Sequence, residues 1–328
     1  MNHSSHDQSW QPTASIENLR HRARILAQIR EFFAERQVME VDTPCLASAP
    51  VTDPHLANFS TKWLSPDSSQ VQTLYLQTSP EYAMKRLLCS GSGSIYQLGK
   101  AFRNEESGRY HNAEFTMLEW YRVDFDHWQL MDEIEQLLAH IMPCPKAIRI
   151  SYQEAFIKHL GIDPLTTSME QLKHKCDELG YDNITRDETQ SDTLLQLLFS
   201  HHIEPAFDTT TPCFVYHFPA SQAALARLNP EDERVAERFE LYWGGIELAN
   251  GFHELSDPIE QAQRFAQDNL LRSQSGIPEA QIDKRFLQAL HAGLPDCAGV
   301  ALGVDRLIML ATNSSHIEQV IPFTTHKA

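Results

Sequence analysis

Two alternating stretches, 95–103 and 114–121, flank the polar segment Glu106-Ser-Gly-Arg-Tyr-His-Asn112. That arrangement leaves the chain little choice but an antiparallel hairpin with a long charged loop. A second hairpin is written into 239–251, where Gly244-Gly245 divides two strand-like runs. Further strands are expected at 73–77 and 214–219, and from 298 a glycine-bearing strand runs into a last apolar helix. Leu19, Ala23, Leu26, Ile29 and Phe33 recur every three or four residues, as on one face of a long helix starting after Ser15. That helix gives way to an extended segment, 38–44, halted by Pro44. Ser79-Pro80-Glu81 reads as cap, first helical position and first-turn acid of a helix through Leu88. Residues 125–205 read as mostly helical and acidic, and 257–292 as helical again. The fold class is therefore α+β, a mainly antiparallel sheet flanked by helices. Residues 1–14 are expected to be a disordered polar tail and 15–328 a single domain.

Composition narrows the function. The 328 residues carry 27 basic and 44 acidic side chains, a formal net charge of −17, which excludes a basic nucleic-acid-binding surface as the dominant feature. A hydrophobic share of 42% and a charged share of 22% suit a globular protein with a sizeable core. Cys45, Cys89, Cys144, Cys176, Cys213 and Cys297 include no close pair, which suits reduced, buried thiols better than a disulfide frame or zinc site. No apolar run approaches the roughly 18 residues of a membrane span, and the first residues lack the blocks of a signal peptide. The expected location is the cytoplasm, away from membranes.

Three constellations carry chemistry. Period-two geometry puts Phe115, Met117, Glu119 and Tyr121 on one strand face, spread over roughly 20 Å at about 3.3 Å per residue. One end can stack an aromatic group and the other can hold a cation. In the partner strand Arg103 and Glu105 share a face, offering a guanidinium fork and a carboxylate to one bound molecule, although Arg-x-Glu alone is more often a surface ion pair. In the second hairpin, if Trp243 faces Ile246, Glu240 lies opposite Ala249 and diagonal to Glu247. Across roughly 7 Å two such carboxylates can converge on a hard cation; a solvated acidic face is the competing reading. Simple alternation puts Glu254 on the other face, and a bulge at Gly251 would bring it back. Gly299-Val-Ala-Leu-Gly303-Val-Asp305-Arg306 permits close approach of a ligand and sets Arg306 at the ligand end of the last helix; tight strand–helix packing is the default for such glycines. His111, in the polar loop, could reach a phosphate, though most loop histidines are simply solvated.

The order of these segments resembles class II aminoacyl-tRNA synthetases. The helix ending in Pro44, Phe102-Arg103-Asn104-Glu105 with His111-Asn112-Ala113-Glu114-Phe115, and Gly303-Val-Asp305-Arg306 are similar to that class's motifs 1, 2 and 3. Thr116-Met-Leu-Glu119-Trp-Tyr121, Phe218-Pro219-Ala220, Arg238-Phe239-Glu240 and Glu247-Leu248-Ala-Asn250-Gly251-Phe252-His-Glu254-Leu255 resemble the lysine subgroup, over roughly residues 16 to 325. The resemblance implies an ATP-using ligase that forms an aminoacyl-adenylate, with Arg103 and Arg306 as catalytic residues. Arg103 would hold the α-phosphate. Glu105 and Asn112, with Asn104, would contact adenosine, Phe115 and Arg306 would sandwich adenine, and His111 would lie near the outer phosphates. Leu248 and Gly303 would line the nucleotide cleft, and Glu240 and Glu247 would bind Mg²⁺. Glu254 and Tyr121, supported by Glu119 and with Asn250 in the same set, would recognise the side-chain ammonium of lysine. Ser79, Pro80 and Glu81 would hold its amino group. A homodimer built on motif 1 is implied as well.

Departures from the family matter. The motif 1 helix begins by about residue 16, so no anticodon-binding OB domain is expected. Ala249, Ala298 and Ala301 stand where synthetases tend to have glycine, and added methyl groups change which amino acid fits. The Arg-His pair usual at the end of the motif 2 loop reads Arg109-Tyr110-His111, and the usual C-terminal Phe-Pro…Arg-Pro ending is replaced by Ile321-Pro-Phe-Thr-Thr-His. An acidic, truncated core resembles the bacterial lysyl-tRNA synthetase paralogues that transfer (R)-β-lysine to a lysine of elongation factor P. Elongation factor P and (R)-β-lysine or lysine are then the expected partners, with tRNA not expected. The alternatives are a minimal lysyl-tRNA synthetase charging tRNA and a catalytically dead regulatory paralogue.

Overall fold

The computed structural model of the chain describes residues 10–66 and 70–328. Helix α1 (Ile16–Glu35) begins where the sequence places it, with the Ser15 hydroxyl accepting from the Asn18 amide. Its buried face is rotated from the expected line: Ile29 and Phe33 are inside, Arg22, Ile25 and Phe32 complete the face, and Ala23 is exposed. A buried arginine is invisible to a hydrophobic count. Arg22 is inside because its guanidinium meets Asp305 Oδ1 at 2.5 Å and Thr116 Oγ1 at 2.6 Å. Of the tail expected over 1–14, residues 1–9 lie outside the described residues. The remainder is anchored: the Thr13 amide donates to the Pro322 carbonyl at 2.8 Å, and Ala14 is buried.

In chain order the described strands are β1 (Met39–Glu40), β2 (Leu46–Ala47), β3 (Ser60–Leu64), β4 (Val71–Leu76), β5 (Ile95–Phe102), β6 (Glu114–Val123), β7 (Ile148–Ser151), β8 (Cys213–Tyr216), β9 (Arg238–Trp243), β10 (Ile246–His253) and β11 (Cys297–Gly303). Eight of them form one sheet in the order β1-β5-β6-β11-β10-β9-β8-β7, parallel only at its outer pairs. β2, β4 and β3 form a small antiparallel sheet. Both hairpins are present, from Ile95 opposite Tyr121 to Phe102 opposite Glu114, and with Trp243 opposite Ile246. Gly244 and Gly245 have φ of 66° and 73°, the left-handed pair that a two-residue turn between right-twisted strands requires. Strand β7, inside the stretch read as helical, pairs with β8, more than 60 residues further along the sequence. No local pattern announces such a partner.

The helices after α1 are α2 (Glu81–Cys89), α3 (His127–Ile141), α4 (Tyr152–Leu160), α5 (Met169–Glu178), α6 (Asp182–Thr185), α7 (Ser191–Leu198), α8 (Pro258–Gln274), α9 (Lys284–Ala292) and α10 (Val304–Ala311). α2 starts one residue later than expected, with Pro80 as its cap; the Ser79 hydroxyl still accepts from the Glu81 amide at 3.0 Å. One parity of the central strands, including Leu118, Trp120, Val300 and Leu302, packs under α1, α3 and α10 with Ile29, Phe32, Phe33, Ile134 and Leu307. Fully burying a side chain of the size of Phe or Ile contributes about 1.5–3 kcal/mol, so packing holds α1 in place more than helix propensity does. The other parity opens towards α2, α8 and α9. A separate core under β8 and β9 gathers α4, α5 and α7 around Tyr152, Phe156, Leu172, Leu194 and Leu198. All six cysteines are unpaired; Cys176, Cys213 and Cys297 are buried as expected, whereas Cys45 is exposed. No helix among the described residues is long and apolar enough to cross a membrane.

Candidate active site

The open parity of the sheet is the floor of a cavity of about 590 Å³. β6 contributes Phe115, Met117, Glu119 and Tyr121, and β11 sets Gly303 beside Met117, Ala301 beside Glu119 and Gly299 beside Tyr121. The small residues keep this floor low. A methyl group at Gly299 would overlap the Tyr121 ring and the Glu254 carboxylate. Of the three alanines expected to alter the pocket, only Ala301 lines it; Ala249 and Ala298 point into the core on the opposite face.

One end of the cavity is acidic. Glu81 opens α2, Glu119 projects from β6, and Glu254 follows β10. Lys85, one helical turn beyond Glu81 and fully buried, places its Nζ 2.7 Å from Glu81 Oε1 and 2.5 Å from Glu254 Oε2. The Tyr121 hydroxyl donates to Glu119 Oε1 at 2.7 Å. Glu119 Oε2 and Glu254 Oε1 are buried without hydrogen-bond partners among the described residues. Burial, together with neighbouring Glu81, pushes the Glu119 carboxyl up to about 8. Burial raises Glu254 to about 7 even against the pull of Lys85, whose ammonium the two carboxylates hold above its ordinary value. Three carboxylates around one ammonium leave room for a second cation.

The other end is cationic. Arg103, Arg238 and Arg306 all line the cavity. Arg103 lies over the Phe115 ring, 5.2 Å from its centroid, and 3.6 Å from Glu106 Oε1. Its Nε has no partner among the described residues, so the fork is only loosely engaged. Arg306 donates to the Glu247 carbonyl at 2.8 Å and contacts His111 Nε2 at 2.7 Å. Burial and the charges of Arg306 and Arg103 outweigh Glu106 and hold His111 below its ordinary value, which favours the uncharged ring beside the Arg306 guanidinium. Glu240 is held by Arg238 and by the Tyr242 hydroxyl. Burial and adjacent Glu240 push Glu247 up to about 7. A hard cation suits this pair: the Glu247 carboxylate accepts no hydrogen bond among the described residues, and Glu240 keeps lone pairs beyond its two partners.

The second hairpin differs from the expected register. Glu240 stands opposite Asn250, because a bulge between Glu247 and Ala249 inserts Leu248. The bulge therefore lies at Leu248 and not at Gly251, and it puts Glu247, Asn250 and Glu254 on one face. Leu248 itself also lines the cavity. Arg103 and Glu105 do not share a face. β5 ends at Phe102, Asn104 bridges to Ala57, and Glu105 takes a left-handed φ of 67° that breaks the alternation and leaves it exposed. Asn104, Glu105 and Pro80 are off the cavity wall, and Glu106 is on it. Asn112 is on the wall with its amide engaged by the Glu114 carbonyl and by Thr325. Ser79, Glu81, His111, Phe115, Asn250, Gly303 and Arg306 line the same cavity as Arg103. Spacing did not single out Lys85, Glu106 or Arg238. For Lys85 the signal was its position four residues after Glu81.

A family model described as class II tRNA synthetases (D, K and N) matches residues 9–327. The chain is 59% identical over 315 residues to a Vibrio parahaemolyticus protein named elongation factor P–(R)-beta-lysine ligase, covering 96% of this chain and 98% of that one. Proteins of the same name from Vibrio cholerae and Yersinia enterocolitica are 58% and 56% identical over 319 and 320 residues, covering 97% and 98% of this chain and 98% of each relative.

Proposed function

The chain belongs to the class II tRNA synthetase family of the D, K and N type, and from that premise we propose that it is a ligase that uses ATP to activate (R)-β-lysine, or lysine, and transfers the acyl group to a lysine side chain of elongation factor P. The observation that carries this reading is the polarity of the cavity, with three guanidiniums at one end and buried carboxylate oxygens without partners at the other. A nucleotide phosphate and a substrate ammonium fit opposite ends of such a space. The names of the relatives supply the acceptor. In this reading the protein works in the cytoplasm as a homodimer, over residues 15–328 as one catalytic domain.

No side-chain nucleophile is required. A carboxylate oxygen of the amino acid attacks the α-phosphorus of ATP, the bond to pyrophosphate breaks, and the acyl-adenylate forms. The acceptor amine then attacks the acyl carbon, AMP leaves, and an amide remains. Arg103 holds the α-phosphate and neutralises its developing charge, so catalysis is by positioning. Phe115 and Arg306 sandwich the base, and His111, whose Nε2 faces Arg306, donates from its other ring nitrogen to the outer phosphates. Glu254, Glu119, Tyr121 and Glu81 hold the ammonium groups. Glu240 and Glu247 would hold Mg²⁺, which when bound supplies charge neutralisation on the polyphosphate. The methyl group of Ala301, beside Glu119 on the floor, is the one of the three alanine substitutions placed to alter amino-acid fit.

The test is pyrophosphate exchange with α-lysine and (R)-β-lysine, then mass measurement of elongation factor P and of tRNA after incubation with the enzyme. A mass gain on elongation factor P is expected; tRNA charging without it would overturn the proposal. Arg103→Ala is expected to lower exchange at least ~10³-fold. Glu254→Gln should raise the amino-acid requirement ~10²-fold or more with ATP binding nearly intact.

A further inference from the structure

Outside the cavity, three segments distant in sequence bring His127, Glu237 and His253 together. Among the described residues their ligand atoms lie within 4.8 Å of one another. His127 opens α3, Glu237 precedes β9 and His253 ends β10; they are 2%, 8% and 8% exposed. Two details separate this group from an ordinary hydrogen-bonded core. Both ring nitrogens of His127 are buried without a hydrogen-bond partner, a rare and costly state for an imidazole. Its Nδ1 stands 4.0 Å from Glu237 Oε2, too far to bond directly and close enough for both to hold one ion. The second detail concerns the two carboxylates that flank His253. Its Nε2 lies 3.0 Å from Asp296 Oδ1 and its Nδ1 2.6 Å from Glu237 Oε2, so a carboxylate stands behind the ring on the side away from Glu237.

Glu237 Oε2 thus faces both rings, 2.6 Å from His253 Nδ1 and 4.0 Å from His127 Nδ1. A carboxylate on the far nitrogen, as Asp296 is for His253, is how proteins support metal-bound imidazoles. Charge leaves room. Arg227 lies 4.0 Å from Glu237 Oε2 and pairs with Asp296, so two carboxylates face one guanidinium. His217, its ring centroid 5.4 Å from that of His127, and the Asp126 carboxylate are further titratable groups beside His127.

We infer that His127, Glu237 and His253 form a binding site for a divalent transition-metal ion of the Zn²⁺ class, with a fourth position for water. The ion fixes the end of β10, and His253 directly precedes Glu254, so the site positions the amine-binding carboxylate without touching substrate. Full-length protein is stripped with chelator, incubated with Zn²⁺ or Co²⁺, desalted and analysed for metal content, Co²⁺ absorption and unfolding temperature. Wild-type protein should retain one ion per chain, with a four-coordinate Co²⁺ spectrum and an unfolding temperature higher by roughly 5 °C. His127→Leu fills the space without a ligand and Glu237→Gln removes the charge. Each should keep the wild-type circular dichroism and lose that ion, the spectrum and the shift. Failure of wild-type protein to retain an ion overturns the inference. Retention by either folded variant equal to that of wild type also overturns it, placing the ion on surface histidines. Should one variant not fold, the other and the wild-type Co²⁺ spectrum decide.

Discussion

At Glu119 the physical conflict is between burial and charge. The carboxyl lies beside Ala301 on the cavity floor, with Tyr121 as donor, Ser79 and Lys85 nearby, and Glu81 and Glu254 as fellow acids. With its pKa raised from 4.5 to about 8, the folded pocket keeps a proton that the unfolded chain has lost across that range. Stability from this group is therefore full below about pH 4.5 and declines as pH rises towards 8. Glu119→Gln removes the decline, and relative to wild type it should gain on the order of 4 kcal/mol by pH 8 in denaturant titrations, at the cost of substrate binding. A substrate ammonium stabilises the carboxylate, so binding near pH 7 should release part of a proton. Calorimetry in buffers of different ionisation enthalpy measures this, and the release should shrink in Glu119→Gln; an unchanged release would place the proton elsewhere, on Glu254.

Among the elements, α10 is fixed by one carboxylate. Asp305 accepts from Arg22 of α1 and, at 2.7 Å, from the Thr116 amide of β6, joining three elements at the rim of the cavity. Asp305→Asn leaves the Arg22 guanidinium buried without its counter-charge, and a loss of about 3 kcal/mol is expected in chemical unfolding. Replacing Arg22 with Met in the same chain should recover part of that loss. β11 shows the opposite design, in which absence of side chains makes the site. Gly299→Ala pushes a methyl group into Tyr121 and Glu254, and amino-acid-dependent exchange should fall ~10²-fold or more while ATP binding persists. Equal loss of both would mean that the sheet itself had shifted.

For the whole molecule, the strand and helix order was legible because it rests on local periodicity. The two hairpins, the Gly-Gly turn and the small-residue strand before Arg306 each carry their signal within about a dozen residues. What escaped depends on partners far along the chain. β7 exists because β8 lies beside it, Arg22 is inside because Asp305 is there, and His127 meets Glu237 and His253 only after α3 packs against the sheet. The residue types of the site were legible from chemistry and order; their convergence was not. Leu248 illustrates the limit: one bulged residue decides that Glu247 and Glu254 face the same way, and Glu105, one left-handed residue past a strand end, faces out. By itself the sequence determined the α+β class, the acidic character and the inventory of cations and carboxylates, because propensity and composition are local or additive. Only the tertiary structure decided which of them share a cavity, which are protonated and which alanine reaches the substrate, because burial and proximity are properties of the packed whole.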